Sequence, residues 1–458
     1  MTTNKLLWLL SLPLALTAAC EDGSGLTGGD DEPLPPDAPE LDAPPGVTIV
    51  DVPEGDITTD TTWTKDHIYV LKGYVWVTGG TLTIEAGTMI RGDHSSALTI
   101  TQHAKLNAAG TASEPIVFTS NQATPAPGDW GGLVLLGKAP INVTGGTNKI
   151  EGFATSWGDR IMYGGGDAAH DCGTLTYARI EYAGFALATD NELNGLTLGG
   201  CGTGTEVDYV QSHLGQDDGI EIFGGTLNVK HLVISQPDDD ALDWDFGWVG
   251  SAQFVIVQQK AGRGDKGVEA DNNVNNNDLT PRSAPALWNL TMIGGDGPAS
   301  DKKQGAFHLR RGTAGQINNA IVAYWNQFAV DVDGLSSVGQ FGTALAVKHT
   351  YFVKCTHATA IWPTNFDVSG GNENDCQTPN TNCFDEVTQI GNDASNHLDV
   401  DVMLTDAKNV ATPNFKPMTG SPVLTGCGTP PAGLDQTATF CGAIGATDWT
   451  AGWTRYPN

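Results

Sequence analysis

The sequence has few positive charges. Of its 458 residues only 23 are Lys or Arg, against 53 that are Asp or Glu, which gives a formal net charge of −30. A chain this acidic is repelled by nucleic acid and by an anionic bilayer, so we expect neither to bind through charge. The acidity is compatible with cation binding, or with solubility alone.

Several other patterns are absent. After the first 20 residues no long amphipathic helical pattern occurs, so a helical bundle is not expected. No CxxC or clustered His and Cys predicts a zinc site, and no phosphate loop or HExxH motif is present.

Cysteine is scarce, and the first of the eight, Cys20, lies at the end of an apolar leader. The leader has Lys5, an apolar run up to Leu16 and the small residues before Cys20 that are typical of an export signal. It resembles a bacterial lipoprotein signal, although Thr17 stands where that family usually has Leu. The resemblance implies lipidation of Cys20 and a lipid-anchored protein of the cell envelope, at the outer membrane or cell surface. Ordinary signal cleavage is the alternative.

An exported chain permits disulfides among the other seven cysteines. We expect Cys172 to pair with Cys201 and Cys427 with Cys441. The remaining three, Cys355, Cys376 and Cys383, cannot all pair, and their connectivity stays open.

Residues 21–46 are rich in Pro, Gly and acids, which predicts a disordered tether. After them, short apolar alternations recur in groups of three. Val75 and Leu98 begin equivalent groups, as do Leu82 and Leu106. Three short strands per cycle predict an all-β chain folded as a right-handed parallel β-helix, a solenoid with three faces.

A family resemblance supports this fold. The segments are LTIEAGTMI, KLNAAGTASEPIVFTS and GDWGGLVLLG, within roughly residues 60–140. They resemble secreted and surface β-helix proteins of bacteria, whose wider fold is that of the pectate-lyase-like β-helices. The resemblance implies a fold and no particular activity. The C-terminal sequence resembles the cap of the same group, and a cap would cover the open end of the last coil.

The organisation predicted for the chain is therefore a signal peptide (1–20), a tether (21–46) and a single β-helix domain (47–458), which contains a five-copy repeat (204–334), a loop (364–395) and a cap (413–458).

The five-copy repeat carries the acidic residues of interest. Paired apolar residues (Val207/Val210, Val229/Leu232, Phe254/Val257) precede Glu221, Asp243 and Glu269, and two looser copies lead to His308 and Asp331. Alternate residues of a strand point to opposite faces, so Ile220, Leu242 and Val268 are expected to stack inside and the acids between them to point outward.

Coils stack about 4.8 Å apart, so these acids form one patch. The candidate metal ligands are Asp217, Asp218, Glu221, Asp239, Asp240, Asp243, Asp245, Glu269 and Asp271. Three interpretations stay open: a solvated, splayed and idle patch; a Ca²⁺ site built from carboxylates; or a carboxylate pair that cleaves glycosidic bonds. In the patch Arg310 and Arg311 would act as neutralising charges.

The hydrolytic interpretation rests on a second resemblance. The run Gln216-Asp217-Asp218 resembles the paired-Asp motif of the polygalacturonase family, but the other motifs of that family are missing. Pectate lyases use Ca²⁺ with an Arg base, and Arg263 and Arg310 are the candidates here, although the spacing selects neither. No catalytic residue is assigned. His308 is expected to be a surface residue without a fixed partner.

Together these observations predict a monomeric surface binding module, Ca²⁺-stabilised, with a glycan or another envelope component as ligand. The alternatives are a polysaccharide lyase or glycoside hydrolase acting on acidic glycans, and a purely structural surface protein.

Overall fold

The computed structural model describes residues 46–188, 191–297, 302–354, 384 and 386–457. The strands, in chain order, are β1 (Thr48–Val52), β2 (Gly55–Ile57), β3 (Thr61–Trp63), β4 (His67–Leu71), β5 (Tyr74–Val77), β6 (Gly80–Ile84), β7 (Met89–Gly92), β8 (Ala97–Ile100), β9 (Ala104–Ala109), β10 (Ile116–Ser120), β11 (Leu133–Leu136), β12 (Asn148–Lys149), β13 (Met162–Tyr163), β14 (Gly173–Glu181), β15 (Ala186–Ala188), β16 (Asn191–Glu192), β17 (Leu196–Gly199), β18 (Glu206–His213), β19 (Ile220–Phe223), β20 (Asn228–Ser235), β21 (Leu242–Asp245), β22 (Ser251–Gln258), β23 (Lys266–Ala270), β24 (Ala286–Ile293), β25 (Gly305–Leu309), β26 (Gly315–Ala323), β27 (Phe328–Val332), β28 (Leu345–Lys348), β29 (Tyr351–Val353), β30 (His397–Leu398), β31 (Leu404–Asp406) and β32 (Asn414–Pro417). The described residues also form α1 (Leu335–Val338), α2 (Glu386–Gly391) and 3-10 helices at Thr155–Ile161 and Pro422–Leu424.

Successive strands contribute to three different faces. In the first coils β5, β6 and β7 lie one on each face, and β8, β9 and β10 stack parallel on them. One face is a separate ten-stranded sheet in the order β2-β5-β8-β11-β17-β19-β21-β23-β25-β27, which we call the cleft sheet. The prediction of a right-handed parallel β-helix with three faces is confirmed.

From β14 onward the other two faces are joined by long bent strands. The first half of β14 pairs with β9 and the second half with β10. At the bend Tyr177 has a φ of 47°, and Tyr209 and His231 occupy the same bend one and two coils later with φ of 55° and 46°. Left-handed backbone at these non-Gly residues turns the strand through the corner of the coil.

The core is a set of stacked apolar columns. Ile220 pairs in register with Leu242, and Leu242 with Val268. All three are fully buried, as predicted. Burial of each such side chain contributes about 1.5–3 kcal/mol to folding.

The predicted third copy of the repeat is in the wrong register. Val229 pairs with Ala252 and Leu232 with Val255, so Phe254 and Val257 are not the equivalent residues. The sequence alignment slipped by two positions because the turn after β22 is longer. Ser235 to Leu242 spans seven positions, whereas Gln258 to Val268 spans ten.

The C-terminal segment, predicted to cap the last coil, lies along the side of the solenoid. It runs from β29 back to β14, where Arg179 donates a hydrogen bond to the Trp453 carbonyl (2.9 Å). At the end of the last coil lies α2, whose Glu386 accepts a hydrogen bond from the Val332 N–H (3.1 Å). This helix falls within the predicted loop, most of which lies outside the described residues.

Side-chain amides hold this C-terminal segment by its backbone. Gln211 bonds both the N–H and the carbonyl of Arg455, at 2.9 and 2.6 Å. Gln253 bonds Asp435 in the same two-bond manner, at 2.8 and 3.2 Å. We call these pairs, with the Asn319 pair to Gly428 at 2.8 Å each, the amide clamps.

Both predicted disulfides, Cys172–Cys201 and Cys427–Cys441, are present. Cys20, Cys355, Cys376 and Cys383 lie outside the described residues, as do the signal peptide and residues 21–45 of the tether. Across the described ranges, no helix has the length and apolar character needed to cross a membrane.

Candidate functional site

A cleft of about 420 Å³ opens on the outer surface of the cleft sheet. All nine acids predicted as metal ligands line it. So do Glu151, Glu192 and Asn194, which the sequence interpretation did not include.

The floor of the cleft comes from three neighbouring strands. Glu221 of β19 pairs with Asp243 of β21, and Asp243 with Glu269 of β23. Because each lies between two inward apolar residues, all three project from the outer side of the sheet. The predicted adjacency of these three acids is confirmed.

The turn before each strand adds a second row of acids. Asp218 accepts a hydrogen bond from the backbone N–H of Asp240 (2.9 Å), and Asp240 accepts one from that of Lys266 (2.5 Å). The same side-chain-to-backbone contact is thus repeated one coil later, and it orients both carboxylates toward the cleft.

Of the three interpretations left open, a splayed, solvated patch does not describe the buried acids of the floor. Glu221 is only 7 % exposed, and Asp218 and Asp240 are 8 % and 5 % exposed. Two irregular segments, around residues 140–163 and 271–283, contribute walls to the cleft, Glu151 from the first and Asp271 and Val274 from the second. Nothing in the sequence pattern shows where such segments fold.

Buried asparagines tie the two segments together. Asn142 donates to the Asn272 side-chain oxygen (2.7 Å), and Asn273 donates to that of Asn142 (3.1 Å). Each of these asparagines is at most 2 % exposed. The two walls are therefore held to each other by buried hydrogen bonds.

Burial governs the protonation of the floor. It raises the pKa values of Asp218, Glu221 and Asp240 well above the ordinary carboxyl range, and repulsion from neighbouring acids adds to the effect. Burial also raises the pKa of Asp243 and brings those of Asp217 and Asp245 to about 8. Without a cation, these groups hold protons near neutral pH.

Glu269 is the exception. Although burial disfavours its charge, the His308 hydrogen bond and the Arg310 guanidinium lower the pKa of Glu269 to about 2. Arg310 also bonds Asp271 (2.8 Å), and Arg311 bonds the other Asp271 oxygen (2.5 Å). The two arginines therefore neutralise one end of the cleft.

The structure differs from expectation at His308, in its contacts, and at Arg263, in its location. His308 has partners: it lies 3.4 Å from Glu269 and 3.7 Å from Asp331. The expectation that it has none is wrong because the next strands of the sheet place acids on both sides of it. Arg263 does not line the cleft; it donates to the carbonyls of Gln236 (2.7 Å) and Gly215 (3.0 Å).

Acids of the cleft and of the adjoining turns lie close enough together to surround a cation. Four groups of three carboxylates each place one oxygen within 4.8 Å of the others, and all of their members are Asp or Glu. A Ca²⁺ ion sits about 2.3–2.6 Å from each oxygen ligand, so oxygens up to about 5 Å apart can share one ion. The groups thus have the size that a single hard cation requires.

Two buried oxygens mark the same place. Asn194 Oδ1 and Asp243 Oδ1 have no hydrogen-bond partner among the described residues. A buried oxygen without a donor costs about 1–3 kcal/mol, and a bound cation would remove that cost. Asn194 could have been found from the register, since Leu196 pairs with Ile220 and so places Asn194 one coil before Asp218. For Glu151 the sequence gives no such indication.

Comparison with known proteins identifies the family. Residues 55–454 match the family model of the pectate-lyase-like β-helix domain. The chain therefore belongs to this family, whose fold is compatible with a surface or glycan-interacting role. Neither the curated proteins nor the solved structures give a significant match to the chain.

Proposed function

We propose that this pectate-lyase-like β-helix protein is a surface binding module of the cell envelope whose acidic cleft holds Ca²⁺ and, through it, a glycan. The observation that carries the proposal is the convergence of carboxylates in groups with ligand atoms within 4.8 Å, each group containing at least one of the buried acids Asp218, Glu221 and Asp240. The cleft is lined by eleven acidic residues and only two arginines. A divalent cation would offset part of this excess of acidic groups.

The ligand chemistry favours Ca²⁺ over other ions. Carboxylate and amide oxygens are hard ligands, and Ca²⁺ accepts six to eight of them in flexible geometry. Mg²⁺ requires a near-octahedral shell at about 2.0–2.1 Å and keeps its waters, which a crowded floor of carboxylates does not suit. Zinc and copper prefer the His and Cys ligands that these groups lack.

A glycan ligand follows from the shape and the charge. The cleft is open to solvent at its rim, where Val274 is 52 % exposed, and its lining also includes the half-buried Phe246. An apolar rim suits the face of a sugar ring. An acidic glycan would be repelled by the floor unless Ca²⁺ lies between the two sets of carboxylates.

The location in the cell envelope rests on the N-terminal sequence. A lipid on Cys20 and an extended tether over residues 21–46 would hold the β-helix beside a membrane. We propose that the protein acts there as a monomer.

A second candidate function is a polysaccharide lyase. It is favoured by the position of Arg310 in the cleft, where a base would stand. However, Arg310 is engaged by both Glu269 and Asp271. Although burial disfavours its charge, these two carboxylates raise the pKa of Arg310 and keep it protonated. The binding module is therefore the better supported function.

The test is a double variant, Asp243→Asn with Glu269→Gln, measured by thermal melting with and without Ca²⁺ and by turnover of acidic glycans. The proposal predicts that Ca²⁺ raises the Tm of the wild type and not that of the variant, with no turnover by either. Glu206→Gln, an exposed acid on a neighbouring face, is the control and should keep the shift. Turnover that the double variant loses would support the lyase, and no Ca²⁺ shift in any chain would leave a structural role.

A further inference from the structure

The carboxylate groups of the cleft repeat from one coil to the next. One group is Asp218, Glu221 and Asp243, and another is Asp240, Asp243 and Glu269. The pairing register maps each member of the first onto a member of the second: Glu221 onto Asp243, and Asp243 onto Glu269. Asp218 lies two residues before Ile220 and maps in the same way onto Asp240, two residues before Leu242. The second group is therefore the first one moved by a single coil.

We propose that the cleft holds two Ca²⁺ ions, one in each of these groups, with Asp243 as the carboxylate that bridges them. This inference rests on the proposed Ca²⁺ function. The two sites share one residue, and coils lie about 4.8 Å apart, so the ions are neighbours whose repulsion the carboxylates between them must offset. Five carboxylates, from Asp218, Glu221, Asp240, Asp243 and Glu269, would face the four positive charges of the two ions and the guanidinium of Arg310, which is paired with Glu269.

The coils before and after these two groups do not repeat the three carboxylates, which limits the number of ions to two. In the column of Asp218 and Asp240 the preceding coil has Asn194 and the following coil has Lys266. The Lys266 ammonium lies 2.7 Å from Asp265, so a fixed positive charge stands where a third group would need an acid. One coil beyond Glu269 stands His308, which is also not a carboxylate.

Of the four carboxylate groups, two contain Asp243 of β21 (the strand groups) and two contain Asp239 of the preceding turn (the turn groups). Buried oxygens without a hydrogen-bond partner favour the strand groups as the ion sites. Both turn groups include Asp239, which is exposed. The strand groups contain Asp243, whose Oδ1 is buried without a partner. Asn194, only 1 % exposed, lies beside the first site, where it donates to Glu221 (2.5 Å), and its buried Oδ1 has no partner among the described residues. An amide oxygen there is a further hard ligand that the second site lacks.

The experiment counts bound ions. Purified, chelator-treated protein is dialysed against Ca²⁺, and the bound metal is measured per chain at saturation, with native mass spectrometry as a second count. The wild type and the Glu206→Gln control are expected to bind two ions. Glu221→Gln removes a ligand of the first site only and should bind one; Asp243→Asn should lose both, with at least a tenfold weaker affinity for any ion that remains.

The outcomes separate the two proposals. One ion in the wild type overturns the bridged pair and leaves the Ca²⁺ function standing, whereas none overturns both. Three or more would contradict the termination at Lys266. Two ions in Glu221→Gln, with circular dichroism showing a native fold, would overturn the assignment of the ligands.

Discussion

Glu221, Asp243 and Glu269 occupy equivalent positions on three stacked strands, yet their surroundings give them different protonation. Burial and neighbouring acids raise the pKa values of the first two. Glu269 remains charged because His308 and Arg310 lie against it. With a permanent charge at one end and proton-holding groups beside it, the floor would release protons if it bound the proposed cation.

At the residue scale this predicts how stability depends on pH. Asp217 and Asp245 have pKa values of about 8 in the folded protein, against an ordinary value near 3.8. The folded state then binds more protons than the unfolded state, so their contribution to stability is complete below about pH 4 and is lost as the pH rises to 8. Melting in chelator should therefore show a falling Tm between pH 5 and 8, and added Ca²⁺ should raise the Tm most at pH 8. A Tm that rises with pH in chelator would contradict this assignment.

The guanidinium of Arg310 permits a second prediction at this scale. Arg310→Gln leaves Glu269 and Asp271 without their main partner. Because breaking a buried ion pair costs about 3–5 kcal/mol, we expect the free energy of unfolding to fall by about that amount. Urea unfolding in chelator measures the loss, and Ca²⁺ should restore part of it. Arg311→Gln is the matched control, because Arg311 is more exposed and bonds Asp271 alone. Equal losses in the two variants would show that Arg310 has no special role.

At the scale of elements, the C-terminal segment depends on a few side-chain amides. Gln253→Ala removes both hydrogen bonds to Asp435 and leaves that backbone unsatisfied, at a cost of about 1–3 kcal/mol. The segment should then be cleaved faster in limited proteolysis, while the coils stay intact. Gln316→Ala, whose amide makes an exposed bond to the Ala344 carbonyl, should not change the cleavage rate. Unchanged cleavage in Gln253→Ala would mean that other contacts hold the segment.

The strands of the solenoid could be predicted because their alternation is local. Ile220 and Leu242 stack as the sequence indicates, and the acids between them share the opposite side. The bends could not be predicted, because Tyr177 and Tyr209 adopt left-handed backbone that their residue type does not favour. The cleft walls could not be predicted either, since Asn142 and Asn272 meet across 130 residues with no repeat to align them.

At the scale of the whole molecule, part of the chain's negative charge is concentrated at one site. Eleven of its 53 acidic residues line one cleft in the middle of a long solenoid. The acids are concentrated there because β19, β21 and β23 each carry an acid at the same position. Thr197 and His308 stand at the equivalent positions on the strands before and after these three. The rest of the β-helix is a continuous apolar core that keeps these strands in register.

The central claim is that this cleft exchanges protons for Ca²⁺. The most direct measurement is a Ca²⁺ titration of the chelator-treated protein at pH 7 in weak buffer, with the released protons recorded. Because the pKa of Asp217 is about 8, and burial raises that of Asp243, the account predicts saturable binding with about one or more protons released per ion. The release should disappear in the Asp243→Asn, Glu269→Gln double variant. Saturable binding without proton release, or no binding at all, would contradict it.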